Sequence, residues 1–591
     1  MCGIFCYQSN NDKNIYKGIK GLKKLEYRGY DSFGFYTENL KTIKETGEVE
    51  KFEIDESLKS KVFISHTRWA TNGKVVKENS HPHDSFEEKI LVVHNGIIEN
   101  YEKLKKDLEK LNIKFRSETD TEVIPNLIEQ NLNKGKNFIE AVKLTCDKLQ
   151  GRFSFVAHNK ETKETIGVRS GSPLITGIDE DSIYISSDVP AFSEFTNKIS
   201  YIDDNEFIYL KYENSNLIKQ FYNLKSLEKI EKRIIEININ NQENQKDGYK
   251  HYMKKEIMEQ KHTLKKIINK KNNSKIQDLA NEIKNANSVY FIGCGTAAIV
   301  GNSAKYIFHD IANLKTDFEY SSEFKSIQNF INEQTLVVAL SQSGETIDTL
   351  EALELAKEKG AKTACIVNNE NSTIFRFCDI SIPVKAGEEV AVASTKCTTN
   401  QMGILILLAY ASINQLKHGI IEVLNFQSQI NDMLNPRFEE MIIEIANRLF
   451  HKKHMFLIGK GYNYISALEG ALKIKELSYI NTQAFHAGEL KHGSIALIEE
   501  GTPVIALAPK DSNQNDVLTN AHEIKSRGGI IIGLSEEKSE VFDLWIKVPN
   551  CKEGNLMAYT IPLQILAYHL ATLNNHNPDK PRNLAKSVTV K

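Results

Sequence analysis

Cys2 stands directly behind the initiator Met1 and ahead of Gly3. A small second residue allows Met1 to be removed, which would leave Cys2 with both a thiol and a free α-amine. Such an amine titrates at about 7.7–8.0 and can act as base for its own thiol, directly or through a water. By itself Cys2 could equally be an incidental buried thiol. Four polar clusters change its weight: Glu26-Tyr27-Arg28-Gly29-Tyr30-Asp31, His66-Thr67-Arg68-Trp69-Ala70-Thr71-Asn72-Gly73, His94-Asn95-Gly96 and Ser117-Glu118-Thr119-Asp120. These types suit a free amino acid: an arginine for a carboxylate, an aspartate for an ammonium, and an amide with a backbone N–H for an oxyanion.

A second set of groups lies further along. Ser341-Gln342-Ser343-Gly344-Glu345-Thr346 offers hydroxyls, a glycine and helix-start N–H groups, the makings of a phosphate cradle. Gly293-Cys294-Gly295-Thr296 is another glycine turn; its spacing is not that of a dinucleotide fingerprint. Glu469, Lys473 and Glu476 stand at i, i+4 and i+7 of a helical pattern and so share one face. A charged stripe is ordinarily a solvated face, and a Ser-Gly turn is ordinarily a helix cap. His492, in Gly488-Glu489-Leu490-Lys491-His492-Gly493, and Lys586, alone among apolar neighbours near the C-terminus, complete the inventory. A histidine and a glutamate suit proton transfers, and a lysine suits covalent capture of a carbonyl.

The elements that must hold these groups fall into blocks. Residues 1 to about 235 contain short strand-like runs at 62–65, 90–93, 153–157 and 182–185, and helical patterns at 97–110 and 121–132. Ser117 to Asp120 would cap the second of these helices. Residues 236–250, rich in Asn, Gln and Lys, can bury little and read as a linker. Beyond them, apolar strands alternate with longer helical patterns, which predicts parallel α/β units. This second part is duplicated: Gly459 follows Gly293 by 166 residues, and Thr502 and Gly528 follow Thr335 and Ala361 by 167. Three successive strands at nearly one spacing predict two copies of a doubly wound domain. The boundaries read as 2–235, a linker and connecting helix at 236–274, then 275–430 and 440–591.

Bulk properties narrow the classes. A chain of 591 residues exceeds a single core, and a net charge of −2 without a dense Lys/Arg stripe gives no footprint for nucleic acid. Eight cysteines with no CxxC pair make neither a disulfide scaffold nor a zinc site, so reduced thiols, no metal and a cytoplasmic location are expected. The N-terminus lacks the regions of a secretory signal, and the apolar stretch 404–411 is too short to span a bilayer, so no membrane partner is expected.

The N-terminal clusters, with Cys2, resemble the N-terminal-nucleophile glutamine amidotransferases. The resemblance implies a four-layer αββα fold in which Cys2 attacks the glutamine amide and Asn95 with the Gly96 N–H forms the oxyanion hole. It also implies that Arg68 holds the substrate α-carboxylate and Asp120 its α-ammonium, with Trp69, Thr71 and Arg28 shaping the glutamine site. Asn72 departs from the family's usual His. The duplicated part resembles the sugar isomerase (SIS) domains, which implies that Ser341, Gln342, Ser343 and Thr346 hold a sugar phosphate, with Thr296 nearby.

Together the segments resemble the glutamine–fructose-6-phosphate aminotransferase family. That likeness implies Lys586 as the Schiff-base lysine for fructose 6-phosphate, His492 as the ring-opening group contributed across a homodimer interface, Glu476 as the C1–C2 proton carrier and Lys473 as its support. It implies no cofactor, and an internal ammonia channel gated near Trp69. Ala297, Lys261, Ser494 and a short 394–399 segment depart from the family pattern. Two rival readings are a glutamine-dependent transfer to another phosphosugar and a sugar-phosphate sensor with a vestigial glutaminase. The two SIS-like copies weaken the first, and Cys2 and Lys586 with their supporting groups weaken the second.

Overall fold

The computed structural model describes residues 2–70, 72–236 and 246–589. Thr71 and residues 237–245, the middle of the expected linker, lie outside the described residues. The described residues form two compact units, one within Met1–Gln242 joined by the tail from Ser587, the other within Glu243–Lys586.

The first unit holds an eight-stranded and a seven-stranded sheet. Gly3–Asn14 lies inside the larger sheet, antiparallel to Lys59–Arg68 and to Ser182–Ser186. Ile90–Gly96 lies in the smaller sheet, antiparallel to Phe153–Asn159. Alternation assigns the layers. Ile4, Cys6, Val62 and Ile64 of one sheet pack with Leu91, Val93 and Val156 of the other, so this core lies between the sheets. Phe5, Tyr7 and Phe63 face the opposite way, onto the helix Ile15–Lys23. Ile90, Val92 and Phe155 pack under the helices Tyr101–Glu109, Val123–Asn133 and Phe138–Cys146. The result is the expected helix–sheet–sheet–helix stack.

One local expectation is corrected. The helix Val123–Asn133 is not capped by residues 117–120: its N-cap is Glu122, which makes no side-chain cap bond. The Glu122 carboxylate instead accepts from the Arg116 and Ser117 N–H groups, both at 2.7 Å. Folding that segment back onto Glu122 is worth two hydrogen bonds to a charged acceptor, more than a single cap.

The second unit contains two five-stranded parallel sheets of identical order. In the first, Ser288–Gly293 pairs with Asp317–Tyr320 on one side and Thr335–Ser341 on the other, followed by Lys362–Val367 and Ile380–Pro383. The second repeats this with His454–Gly459 between Asn481–His486 and Pro503–Leu507, then Ile530–Ser535 and Leu544–Lys547. The strand order reverses beside the first strand of each sheet, where doubly wound folds bind ligands. All 17 residues of Lys396–Ser412 are buried, as the apolar run at 404–411 predicts. A longer apolar helix also occurs: the window within Lys552–Leu573 passes a bilayer test on length and composition, but 83% of it is buried inside the protein. It is a core helix, packed with the helices around it.

Candidate active site

The first cluster is built at the ends of strands. Cys2 opens Gly3–Asn14, whose Gly3 is opposite Thr67 of the strand Lys59–Arg68. That pairing brings the Trp69 N–H to 3.4 Å from Cys2 Sγ. Arg28, buried in a single helical turn, donates Nε–H to the Cys2 carbonyl at 3.0 Å, and its Nη1 lies 3.6 Å from Asp188 Oδ2. Arg28, expected to shape the glutamine site, therefore fixes the main chain of the nucleophile.

Asn95 and Gly96 end the strand Ile90–Gly96. The Asn95 Nδ2 donates to Ser187 Oγ at 2.7 Å, and the same oxygen accepts the Ile4 N–H at 2.8 Å. Ser187 thus ties the candidate oxyanion group to the strand that starts at the nucleophile. Gly96 has φ +120°, and a Cβ there would stand 2.2 Å from the Arg152 carbonyl, so the position admits only glycine.

Arg68 and Asp120 are both buried, and here both engage main-chain groups. Arg68 donates to the carbonyls of Asn72, Gly73 and Lys74, while Asp120 Oδ2 accepts the Ile98 N–H at 2.7 Å. Burial lowers the Arg68 guanidinium, opposed by Cys2, Asp31, Asp120 and Glu118. The candidate nucleophile and both candidate substrate-binding charges therefore share one electrostatic neighbourhood.

In the second unit the phosphate-loop candidates follow the carboxyl end of Thr335–Ser341 and lead into the helix Ile347–Glu358. Ser341 Oγ accepts the Gly344 N–H at 2.9 Å, and Ser343 Oγ accepts the Glu345 N–H at 3.2 Å. Thr346 is the N-cap residue but makes no side-chain cap bond. Gly344 has φ +69°, and a Cβ there would meet Ser372 Oγ at 2.0 Å. Thr296, in the first turn of Gly295–Ala312, follows the strand that neighbours Thr335–Ser341, and its hydroxyl donates to Glu469 Oε1 at 3.2 Å. It joins the first domain copy to the second.

The charged stripe is not a solvated face. Side-chain exposure is 0% for Glu469, 1% for Lys473 and 22% for Glu476. Lys473 Nζ lies 2.6 Å from Glu476 Oε2 and 3.6 Å from Glu469 Oε1. Burial pushes the Glu469 carboxyl up to about 7, with Lys473 opposing. Burial alone would depress the Lys473 ammonium, but the Glu476 and Glu469 carboxylates outweigh it and raise it.

Lys586 is anchored between Glu389 Oε2 at 2.8 Å and the Ala391 carbonyl at 2.7 Å. The Glu389 Oε1 accepts the Thr395 and Cys397 N–H groups at 2.9 and 3.1 Å. Burial would raise the Glu389 carboxyl, but Lys586 holds it below its usual range. Next to it, burial and then Glu389 push Glu256 up to about 8. Glu389 also contributes to raising Lys473, so the tail lysine and the helical stripe belong to one buried electrostatic cluster. Glu389 and Glu256 were not expected from sequence. They lie 197 and 330 positions from Lys586, and no local pattern links them to it. His492 is exposed in the turn Glu489–His492. Among the described residues, no group of three or more His, Cys, Asp and Glu side chains could hold a metal ion.

The glutamine amidotransferase domain family matches residues 66–194, and the SIS domain family matches residues 282–411 and 448–573. The glutamine–fructose-6-phosphate aminotransferase [isomerizing] of Thermococcus kodakarensis is 41% identical, and that of Methanococcus maripaludis 40%, each over 100% of both chains. Among solved structures, the C-terminal domain of glucosamine-fructose-6-phosphate aminotransferase from Francisella tularensis superposes with a TM-score of 0.52 at 32% identity. It covers 57% of this chain and 99% of that one. The chain belongs to the isomerizing glutamine–fructose-6-phosphate aminotransferase family.

Proposed function

We propose that the chain moves the amide nitrogen of glutamine onto fructose 6-phosphate by the following division of labour. The Cys2 thiolate attacks the amide carbon, and the oxyanion is stabilised by the Asn95 Nδ2–H and the Gly96 N–H. The Cys2 α-amine, having taken the thiol proton, passes it to the amide nitrogen, so that collapse of the tetrahedral species breaks the C–N bond, releases ammonia and leaves a glutamyl thioester, which water cleaves to glutamate. Arg68 receives the α-carboxylate and Asp120 the α-ammonium, with Arg28, Trp69 and Thr71 around them. The ammonia travels through an internal channel that Trp69 gates. Water exclusion keeps it as the nucleophilic free base.

Fructose 6-phosphate is held through its phosphate by Ser341, Gln342, Ser343 and Thr346. His492, supplied across a homodimer interface, opens the ring. Lys586 condenses with the C2 carbonyl, losing water, and ammonia then displaces Lys586 to leave a C2 imine. Glu476 takes a proton from C1 and returns one to C2, giving the C1 aldehyde and C2 amine of glucosamine 6-phosphate. Lys473 stabilises the negative charge that develops between these steps. Thr296 stands beside the sugar phosphate, and its hydroxyl bond to Glu469 links that site to the helical stripe.

The observation that carries this reading is the buried Lys586–Glu389 contact at 2.8 Å. It explains why a C-terminal lysine is held inside the protein, and a sensor would have no use for it. The assigned domains are 2–235, 236–274, 275–430 and 440–591, in a cytoplasmic homodimer with no nucleic-acid or membrane partner and no cofactor. The test is incubation with glutamine and fructose 6-phosphate, with glucosamine 6-phosphate and glutamate measured by mass spectrometry beside Cys2→Ala and Lys586→Ala. Both variants should lose amino sugar. Glutamate without amino sugar from the parent protein would mean another acceptor.

A further inference from the structure

Along Lys59–Arg68, Val62 and Ile64 face the layer between the two sheets. The same alternation carries His66 into that layer, where an apolar side chain would be the simpler filling. His66 is fully buried, and an unsatisfied buried imidazole is costly.

The groups it meets belong to the strand Ile90–Gly96. One edge of that strand pairs with Phe153–Asn159 along its whole length, from Ile90 to Gly96. The other edge pairs with His83–Asp84 only, ending at His83 opposite Val92. Past that point the polar groups of His94 on the open edge have no strand partner. Two histidine side chains take its place: the His94 N–H donates to His81 Nδ1 at 3.2 Å, and His66 Nε2 lies 2.9 Å from the His94 carbonyl. The two rings stack, with centroids 4.0 Å apart and 10° between planes.

This contact fixes a tautomer. A carbonyl oxygen only accepts, so His66 Nε2 carries the hydrogen. The same Nε2–H lies 3.1 Å from the Asn95 side chain. The Asn95 atom facing it must therefore be the acceptor Oδ1, which turns Nδ2 the other way. There one Nδ2 hydrogen goes to Ser187 Oγ at 2.7 Å, and the second remains for a ligand. Burial pushes the His66 imidazole down to about 3, so the ring stays neutral over the whole working range.

We propose that His66 is a positioning residue for glutamine hydrolysis, its Nε2–H locking the Asn95 amide with Nδ2 toward the reacting carbonyl. The proposal rests on Asn95 serving the oxyanion. A freely flipping amide would present its oxygen to the developing negative charge for part of the time, so the loss falls on kcat and spares KM.

The experiment compares His66→Gln, whose side-chain N–H reproduces the donor, with His66→Met, of the same length without it. Asn95→Ala and the double variant His66→Met/Asn95→Ala complete a cycle, with His66→Leu in reserve should the methionine variant fail to fold. Folding is checked by thermal melting and by the alkylation rate of Cys2 with iodoacetamide. Asn95→Ala should lower kcat for glutamate release by about 10²–10³, the range for one oxyanion donor. His66→Met should lower it about tenfold with KM within about twofold, His66→Gln should recover most of that, and the double variant should be no slower than Asn95→Ala alone. A parental rate in Asn95→Ala would overturn the oxyanion reading and the proposal with it. A slow Asn95→Ala beside a parental His66→Met, losses that multiply in the double variant, or no recovery with glutamine would overturn the His66 proposal alone.

Discussion

Replacing Glu389 by Gln removes one charge from the cluster around Lys586 and almost no volume. The carboxylate accepts the Thr395 and Cys397 N–H groups on Oε1 and the Lys586 ammonium on Oε2. A glutamine can keep the first two bonds through its oxygen, but it then directs an NH2 group at the ammonium. Solvent offers little relief, because side-chain exposure is 5% for Lys586 and 0% for Glu389. Removing one partner of a buried pair costs about 3–5 kcal/mol. Part of that is recovered if the C-terminal segment swings away, and in either case Lys586 is no longer held for condensation with a ketose. The assay is reduction with borohydride in the presence of fructose 6-phosphate, counting the adduct on Lys586 by peptide mass spectrometry. The variant should trap at least about tenfold more slowly, since 1.4 kcal/mol of the lost pairing suffices for that. The contact should also be acid-labile. A depressed carboxylate contributes stability above its unfolded value of about 4.3, and this is lost as the pH falls through the folded value. Adduct formation at the parental rate with an unchanged unfolding midpoint in urea would refute the role given to Glu389.

Other outcomes follow from the same geometry. Glu256, raised to about 8 in the folded protein, binds its proton more tightly folded than unfolded, so stability should fall as pH rises from about 4.3 to about 8. Glu256→Gln should flatten that slope in urea titrations at successive pH values and be the more stable form at pH 8, whereas an unchanged slope would contradict it. Gly96→Ala must move the Arg152 carbonyl, 2.2 Å from the new methyl, and should cut glutamine hydrolysis at least 100-fold in kinetic assays (about 2.7 kcal/mol of oxyanion stabilisation) while fructose 6-phosphate binding by calorimetry is kept. Lys473→Met leaves Glu469 and Glu476 without their shared cation, so it should destabilise the protein by about 3–5 kcal/mol at pH 8 and by less at pH 5, where Glu469 is protonated.

The residues legible in the sequence were those whose chemistry is written locally. Cys2 with the His66–Gly73 and His94–Gly96 segments announced an amide-cleaving centre, and the 166-to-167-residue repeat announced two parallel sheets, because a duplicated fold keeps its strand spacing. What stayed hidden depends on tertiary placement. Charge spacing shows that Glu469, Lys473 and Glu476 share a face, but not that the face is buried against Thr296 from the other copy. Glu389 and Glu256 carry no pattern that ties them to Lys586. The His66 contact to Asn95 follows from a strand edge that ends at His83, a fact of sheet register that alternation alone does not reveal. The Ser117–Asp120 pattern resembles a helix cap, whereas the Asp120 carboxylate accepts the Ile98 N–H.

This one chain takes the glutamine amide nitrogen and delivers it to fructose 6-phosphate. The direct test supplies amide-15N glutamine and fructose 6-phosphate in a buffer of unlabelled ammonium, and reads the isotope in the product by mass spectrometry. Glucosamine 6-phosphate should be almost wholly 15N and equimolar with glutamate. Product diluted by 14N, or glutamate formed without any amino sugar, would contradict that delivery.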